Sequence, residues 1–222
     1  MWVKICGIKT IEAGRAAVEA GADAVGFVFA SSRRQVTPDQ ARIIIAGLPA
    51  GVARVGVFVD TSPAEVSRIA AYAGLTHVQL HGDEPPEALE AIPYPVIKAF
   101  RLRGPEDLHR LAEYRRAAGL LLEPYVPGVP GGSGQTLDWP LVRQAAAVLR
   151  QAGVEVSGPE EPLVAGRPKL ILAGGLTPGN VAEAIRQAAP GGVDVSGGVE
   201  TQGEKDIGKI CEFVKVAKGA AA

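Results

Sequence analysis

The sequence is poor in cysteine and in aromatic residues, and it has no excess of charge of either sign. Its 2 cysteines, Cys6 and Cys211, lie far apart and share no metal-ligand spacing. That argues against a disulfide framework or a metal site, and a cytoplasmic setting is expected. Aromatic residues make up only 5 % of the chain, so aliphatic side chains must build the core that a 47 % hydrophobic content implies. A net charge of −1 offers nothing to nucleic acid or to an anionic membrane surface. No apolar run approaches membrane-spanning length, and the opening Met1-Trp2-Val3-Lys4-Ile5-Cys6 lacks the apolar stretch of a signal peptide. There is no fixed-period repeat either.

What is present is an alternation. Short β-rich runs at Val3–Cys6, Ala24–Phe29, Arg54–Val59, His77–Leu80, Val96–Phe100, Leu120–Glu123, Lys169–Ala173 and Val193–Ser196 are separated by helical patterns. Those patterns fall near Ile11–Ala20, Asp39–Ala46, Pro63–Tyr72, Pro86–Ile92, Pro105–Tyr114, Leu141–Gln151, Val181–Ala188 and Ile207–Lys218. Several open on a cap or an early proline, as at Thr37-Pro38, Ser62-Pro63, Thr177-Pro178 and Asp206. Eight near-equal strand–helix units in 222 residues predict one α/β domain, a (β/α)8 TIM barrel. A doubly wound open sheet is the alternative. One connection, 153–168, is rich in Pro, Gly and Glu and reads as a solvent-exposed insertion.

Two stretches carry chemistry. Leu170-Ile171-Leu172-Ala173 runs into Gly174-Gly175 and then toward the helical pattern at Val181. The arrangement repeats at once, with Val193-Asp194-Val195-Ser196 running into Gly197-Gly198. Glycines let backbone approach a ligand, and a helix start presents free N–H groups, so the two turns predict a phosphate held between the last two loops of the barrel. Side-chain parity adds a second signal. Lys4 with Cys6, Gln79 with His81, Lys98 and Asp194 are all expected to face the barrel axis, accumulating toward the strand ends where such barrels place their sites.

The segments Lys4-Ile5-Cys6-Gly7-Ile8, Gly26-Phe27-Val28-Phe29, Val57-Phe58-Val59, Val78-Gln79-Leu80-His81-Gly82, Gly131-Gly132-Ser133-Gly134, Leu172-Ala173-Gly174-Gly175-Leu176 and Val193-Asp194-Val195-Ser196-Gly197-Gly198-Val199-Glu200 occur in this order. Together they resemble the phosphoribosylanthranilate isomerases of tryptophan biosynthesis, from Lys4 to Phe213. The resemblance implies an Amadori rearrangement of N-(5-phosphoribosyl)anthranilate by general acid and base, with no cofactor and no metal. It implies Cys6 as the base and Glu123, where the family commonly has aspartate, as the acid. Arg34 matches the arginine that binds the anthranilate carboxylate, with Arg33 as its competitor. Gly197 stands where the family commonly has serine. A phosphorylated small molecule is then the expected partner, and the sequence leaves a homodimer open.

Each residue also has a plainer reading. Cys6 beside Lys4 is expected to favour thiolate, though a free cysteine is more often a small buried hydrophobe. Asp194 is either a partner for Lys4 across adjacent strands or a substrate contact, and His81 lines the site. The nearest rivals are an indole-glycerol-phosphate synthase, a pentose-phosphate epimerase, and a non-catalytic sugar-phosphate binder.

Overall fold

The computed structural model describes residues 1–127 and 135–220. The Gly131-Gly132-Ser133-Gly134 motif lies outside the described residues. Eight parallel strands close into a barrel in chain order: β1 (Trp2–Cys6), β2 (Ala24–Val28), β3 (Ala53–Phe58), β4 (His77–Leu80), β5 (Val96–Leu102), β6 (Gly119–Pro124), β7 (Lys169–Leu172) and β8 (Gly192–Val195). Closure is made by β1 against β8, with Lys4 level with Asp194 and Ile5 with Val195. The open-sheet alternative is thereby excluded.

The connecting helices are α1 (Ile11–Glu19), α2 (Pro38–Ala46), α3 (Pro63–Ala73), α4 (Glu87–Glu90), α5 (Pro140–Gln151), α6 (Val181–Ala188) and α7 (Ile207–Gly219). Their starts are set locally. Thr37 and Gln40 form a reciprocal capping box at α2, Ser62 caps α3, and Asp206 accepts from the Lys209 N–H at α7. The fifth crossover differs from expectation, since Pro105–Tyr114 is a 3-10 segment rather than an α-helix. Leu108, Leu111 and Tyr114 are its buried anchors, a spacing of three that matches three residues per turn.

Two apolar layers sit on either side of the strands. The outer one packs Val3, Ile5, Val25, Phe27, Leu120 and Leu122 against the helices. The inner one fills the barrel with Trp2, Ala24, Val55, Ile97, Ala99, Leu121, Ile171 and Ala173. This division corrects one expectation. Ile97 and Ala99 take the axis, so Lys98 points outward. Its Nζ donates to the Gly82 carbonyl at 2.7 Å and to Glu84 Oε2 at 3.0 Å, which pins the loop after β4.

At the opposite end the 153–168 connection is largely exposed, but Ser157 is buried and Leu163 packs on the inner layer. Lys169 enters the floor of the barrel and donates to the Gly158 carbonyl, which joins this connection to the closed end. No helix among the described residues is long and apolar enough to cross a membrane.

Candidate active site

Cys6 ends β1, and Gly7 at φ +79 turns the chain away. The turn is fixed because the Gly7 and Ile8 N–H groups both donate to the Gly26 carbonyl at 2.9 Å. Gly26 has a second duty. A Cβ there would lie 2.9 Å from Cys6 Sγ and 3.1 Å from Lys4 Cε, so the absence of a side chain on β2 leaves room for both. Lys4 is fully buried and donates to Asp194 Oδ1 at 2.7 Å. Burial disfavours its ammonium, but Asp194 and the Cys6 sulfur outweigh that and hold its pKa above the ordinary lysine value.

The same neighbourhood acts differently on the thiol. Burial pushes Cys6 up, Lys4 opposes, and Asp194 adds to the rise, leaving the thiol above its ordinary 9.0. The expectation of a ready thiolate is therefore corrected. Asp194 neutralises the ammonium that was to stabilise the anion, and desolvation wins.

Across the mouth, β6 delivers Glu123, 6 % exposed, three strands from β1 by way of β7 and β8. His81 Nε2 lies 2.8 Å from Glu123 Oε1, and Gln79 Nε2 lies 2.9 Å from His81 Nδ1. With the amide nitrogen as donor, the ring proton sits on Nε2 and points at the carboxylate. Reversing the amide moves that proton to Nδ1, and Nε2 then accepts from a protonated Glu123. The chain Gln79–His81–Glu123 thus serves either state of the acid.

The glycine turns lie side by side. Gly174 and Gly175 have φ of +89 and +60, which L side chains rarely adopt. Asn180 braces this loop, accepting from the Thr177 N–H at 2.8 Å and donating to the Gly175 carbonyl at 2.9 Å. On the neighbouring loop a Cβ at Gly198 would lie 1.7 Å from the Leu176 carbonyl oxygen. The two loops can abut only because that Cβ is absent. Gly198→Ala should therefore force them apart and, with the phosphate where the two turns predict it, weaken binding of inorganic phosphate at least about tenfold, the equivalent of about 1.4 kcal/mol. Unchanged phosphate binding in a normally folded variant would overturn that prediction.

Arg34 lies along the seam between the first and last loops. Its Cδ would be 2.7 Å from a Cβ on Gly7, and its Nη2 would be 3.2 Å from one on Gly197. Glu200, in the short strand β9 (Glu200–Thr201), holds it. Arg34 Nε donates to Oε1 at 2.6 Å and Nη2 to Oε2 at 3.0 Å. Arg33 Nη2 donates to Oε2 at 2.8 Å, while Lys205 of β10 (Glu204–Lys205) donates to Oε1 at 2.8 Å and to the Ser196 carbonyl at 2.8 Å. Burial would raise Glu200, but Arg34 and Lys205 overcome it and hold the carboxyl down to about 2. Burial also lowers Lys205, against the pull of Glu200.

Cys6, Glu123, Arg33, Arg34, His81, Asp194 and all four glycines line one cavity of about 420 Å³ at the C-terminal end of the barrel. The family model described as N-(5'phosphoribosyl)anthranilate (PRA) isomerase matches residues 3–216. The chain belongs to the N-(5'-phosphoribosyl)anthranilate isomerase family. A family member from Symbiobacterium thermophilum is 64 % identical over 221 residues, covering 100 % of both chains. The crystal structure of the phosphoribosyl anthranilate isomerase of Thermotoga maritima aligns with a TM-score of 0.83 at 41 % identity, covering 99 % of each chain. A structure of the isomerase with reduced 1-(o-carboxyphenylamino)-1-deoxyribulose 5-phosphate aligns at 0.81, with 38 % identity and 99 % coverage of each. Monomers derived from the dimeric Thermotoga maritima isomerase align equally, at 0.81, 38 % and 99 % of each.

Within this isomerase family member, two residues escape sequence reasoning. Glu200 enters the sequence reading only as the last residue of a motif and Lys205 not at all, yet both side chains are only 5 % exposed. The signal was the placement of Glu200 two residues after the Gly197-Gly198 turn. Only the folded loop shows what it touches.

Proposed function

We propose that Cys6 and Glu123 are the base and acid with which this enzyme isomerises N-(5'-phosphoribosyl)anthranilate to 1-(2-carboxyphenylamino)-1-deoxyribulose 5-phosphate. The observation that carries the assignment is that a thiol and a carboxyl on opposite walls share one cavity with two glycine turns. Glu123 protonates the furanose ring oxygen, the C1–O bond breaks, and the aniline nitrogen supplies the electrons that make an iminium. The thiolate form of Cys6 takes the C2 proton and becomes the thiol, and the C2–H electrons neutralise the iminium to give an enolamine. Tautomerisation places a proton on C1 and leaves a ketone at C2. The iminium is the electron sink, so neither a lysine Schiff base nor a metal or cofactor is called for.

The phosphate rests on backbone N–H groups of Gly174, Gly175, Gly197 and Gly198, supported by the positive φ of the first pair and the tight abutment of Gly198. His81 orients the acid, and Asp194 acts through its pair with Lys4. The reading leaves room for a homodimer, which the dimeric Thermotoga maritima relative supports, and for a cytoplasmic setting. Loss of phosphoribosylanthranilate fluorescence on adding the purified chain tests the activity. Absence of that loss, with phosphate binding retained, favours the non-catalytic sugar-phosphate binder.

Arg34 reads the substrate's carboxylate. It is 12 % exposed and makes two hydrogen bonds to Glu200, whereas Arg33 is 61 % exposed and its side chain makes one hydrogen bond among the described residues. A guanidinium pairs with a carboxylate in a fork that lysine cannot copy. Arg34→Ala should weaken substrate binding by about 2–5 kcal/mol, the cost of truncating one partner of a buried charge pair. It should spare an aniline analogue lacking the carboxylate, as read from KM for the two. Equal penalties on both would remove Arg34 from this role.

A further inference from the structure

Arg34 does not hold its place by itself. Its guanidinium is gripped along one side, through Nε and Nη2, by the two oxygens of Glu200. Nη1 is left as the guanidinium nitrogen with no protein acceptor among the described residues. Glu200 is fixed in turn by Lys205, which spends its donors on Oε1, on the Ser196 carbonyl and on Ser196 Oγ at 3.3 Å. Ser196 closes the chain, because its hydroxyl donates to the Cys6 carbonyl at 3.0 Å. A continuous set of hydrogen bonds therefore runs from the backbone of Cys6 to the guanidinium of Arg34.

We propose that Glu200, anchored by Lys205, is the positioning residue that makes Arg34 selective for a carboxylate-bearing substrate. The inference rests on the reading of Arg34 given above. A long arginine in a loop loses several rotatable bonds when it binds an anion, and a side chain already locked pays that entropy on folding instead. The lock also sets direction. Glu200 takes one edge of the fork and leaves the other for a planar anion. Three cations around one carboxylate keep the cluster positive, so the buried acid orients Arg34 without cancelling its attraction for an incoming carboxylate. Arg34 runs close beside both glycines, its Cδ 2.7 Å from where a Cβ on Gly7 would lie and its Nη2 3.2 Å from one on Gly197.

The test is a double-mutant cycle on Arg34→Ala and Glu200→Gln, with kcat and KM measured for the natural substrate and for the aniline analogue. Glu200→Gln should raise KM for the carboxylate-bearing substrate about ten- to a hundredfold, the range for a lost charged hydrogen bond. It should leave the analogue unchanged and kcat within about twofold, since the interaction is made before the chemical step. In the Arg34→Ala background it should add nothing, because Glu200 acts through Arg34. If Arg34→Ala discriminates between the substrates and Glu200→Gln does not, positioning by Glu200 is overturned and the role of Arg34 stands. If Arg34→Ala penalises both equally, the carboxylate reading fails and the inference falls with it. Additive penalties also overturn it. Should Glu200→Gln fail to fold, Lys205→Met carries the test. It keeps the Arg34–Glu200 pair but frees its anchor, and should raise KM for the carboxylate-bearing substrate alone.

Discussion

Cys6→Ser should lower turnover by about 10²- to 10⁴-fold while leaving the fold and the binding of phosphorylated ligands intact, the range typical of a general base. A hydroxyl fills nearly the same space as the thiol in the gap left by Gly26 but gives up its proton far less readily. The structure sharpens the expectation, because the resting form of Cys6 is the thiol and burial holds its pKa above the ordinary 9.0. A raised acid pKa means that thiolate is scarce at neutral pH and grows as pH rises through the folded value. With Cys211 replaced by serine, alkylation of Cys6 by iodoacetamide should be slow at neutral pH and accelerate with a midpoint above 9.0. On the proposed mechanism, the positive charge of the iminium is what would favour the thiolate in the bound complex. Near-wild-type turnover in Cys6→Ser would exclude the thiol, and fast alkylation at neutral pH would exclude the buried neutral form.

Glu123→Gln should cost as much, about 10²–10⁴ in kcat, because an amide cannot deliver a proton to the ring oxygen. KM should move little, since glutamine keeps the shape and a hydrogen bond toward His81. Glu123→Asp is the informative companion. It retains the acid but withdraws it by one methylene from His81 Nε2, now 2.8 Å away. An intermediate loss is expected, because catalytic geometry is sensitive to displacements of this size. Pre-steady-state measurement of ring opening in the glutamine variant decides the case. If that step is untouched while Asp194→Asn abolishes it, the acid belongs to β8 and not to β6.

How much of this was legible beforehand varies with the range of the interaction. β4 and α6 fall where the pattern puts them, at His77–Leu80 and Val181–Ala188, and the other strands differ by a residue or two. Pro105–Tyr114 forms a 3-10 segment where the pattern predicts an α-helix, because a period near three and one of 3.6 look alike over ten residues. Parity expects Lys98 on the axis because it alternates with apolar Ile97 and Ala99, but alternation alone does not say which of the two faces turns inward. Which face wins depended on where Ile97 and Ala99 fit the layer inside the barrel.

The sequence alone determined the eight strand–helix units, the caps that start the helices, and the two glycine turns that end the last strands. These depend on neighbours a few residues away, so they survive without knowledge of the fold. Tertiary structure decided the rest. Glu200 meets Arg34 across 166 positions and Lys4 meets Asp194 across 190. The protonation of Cys6 turns on how completely the barrel excludes water from it. Closure of the sheet creates those contacts and that desolvation together, and no local pattern of residues encodes either.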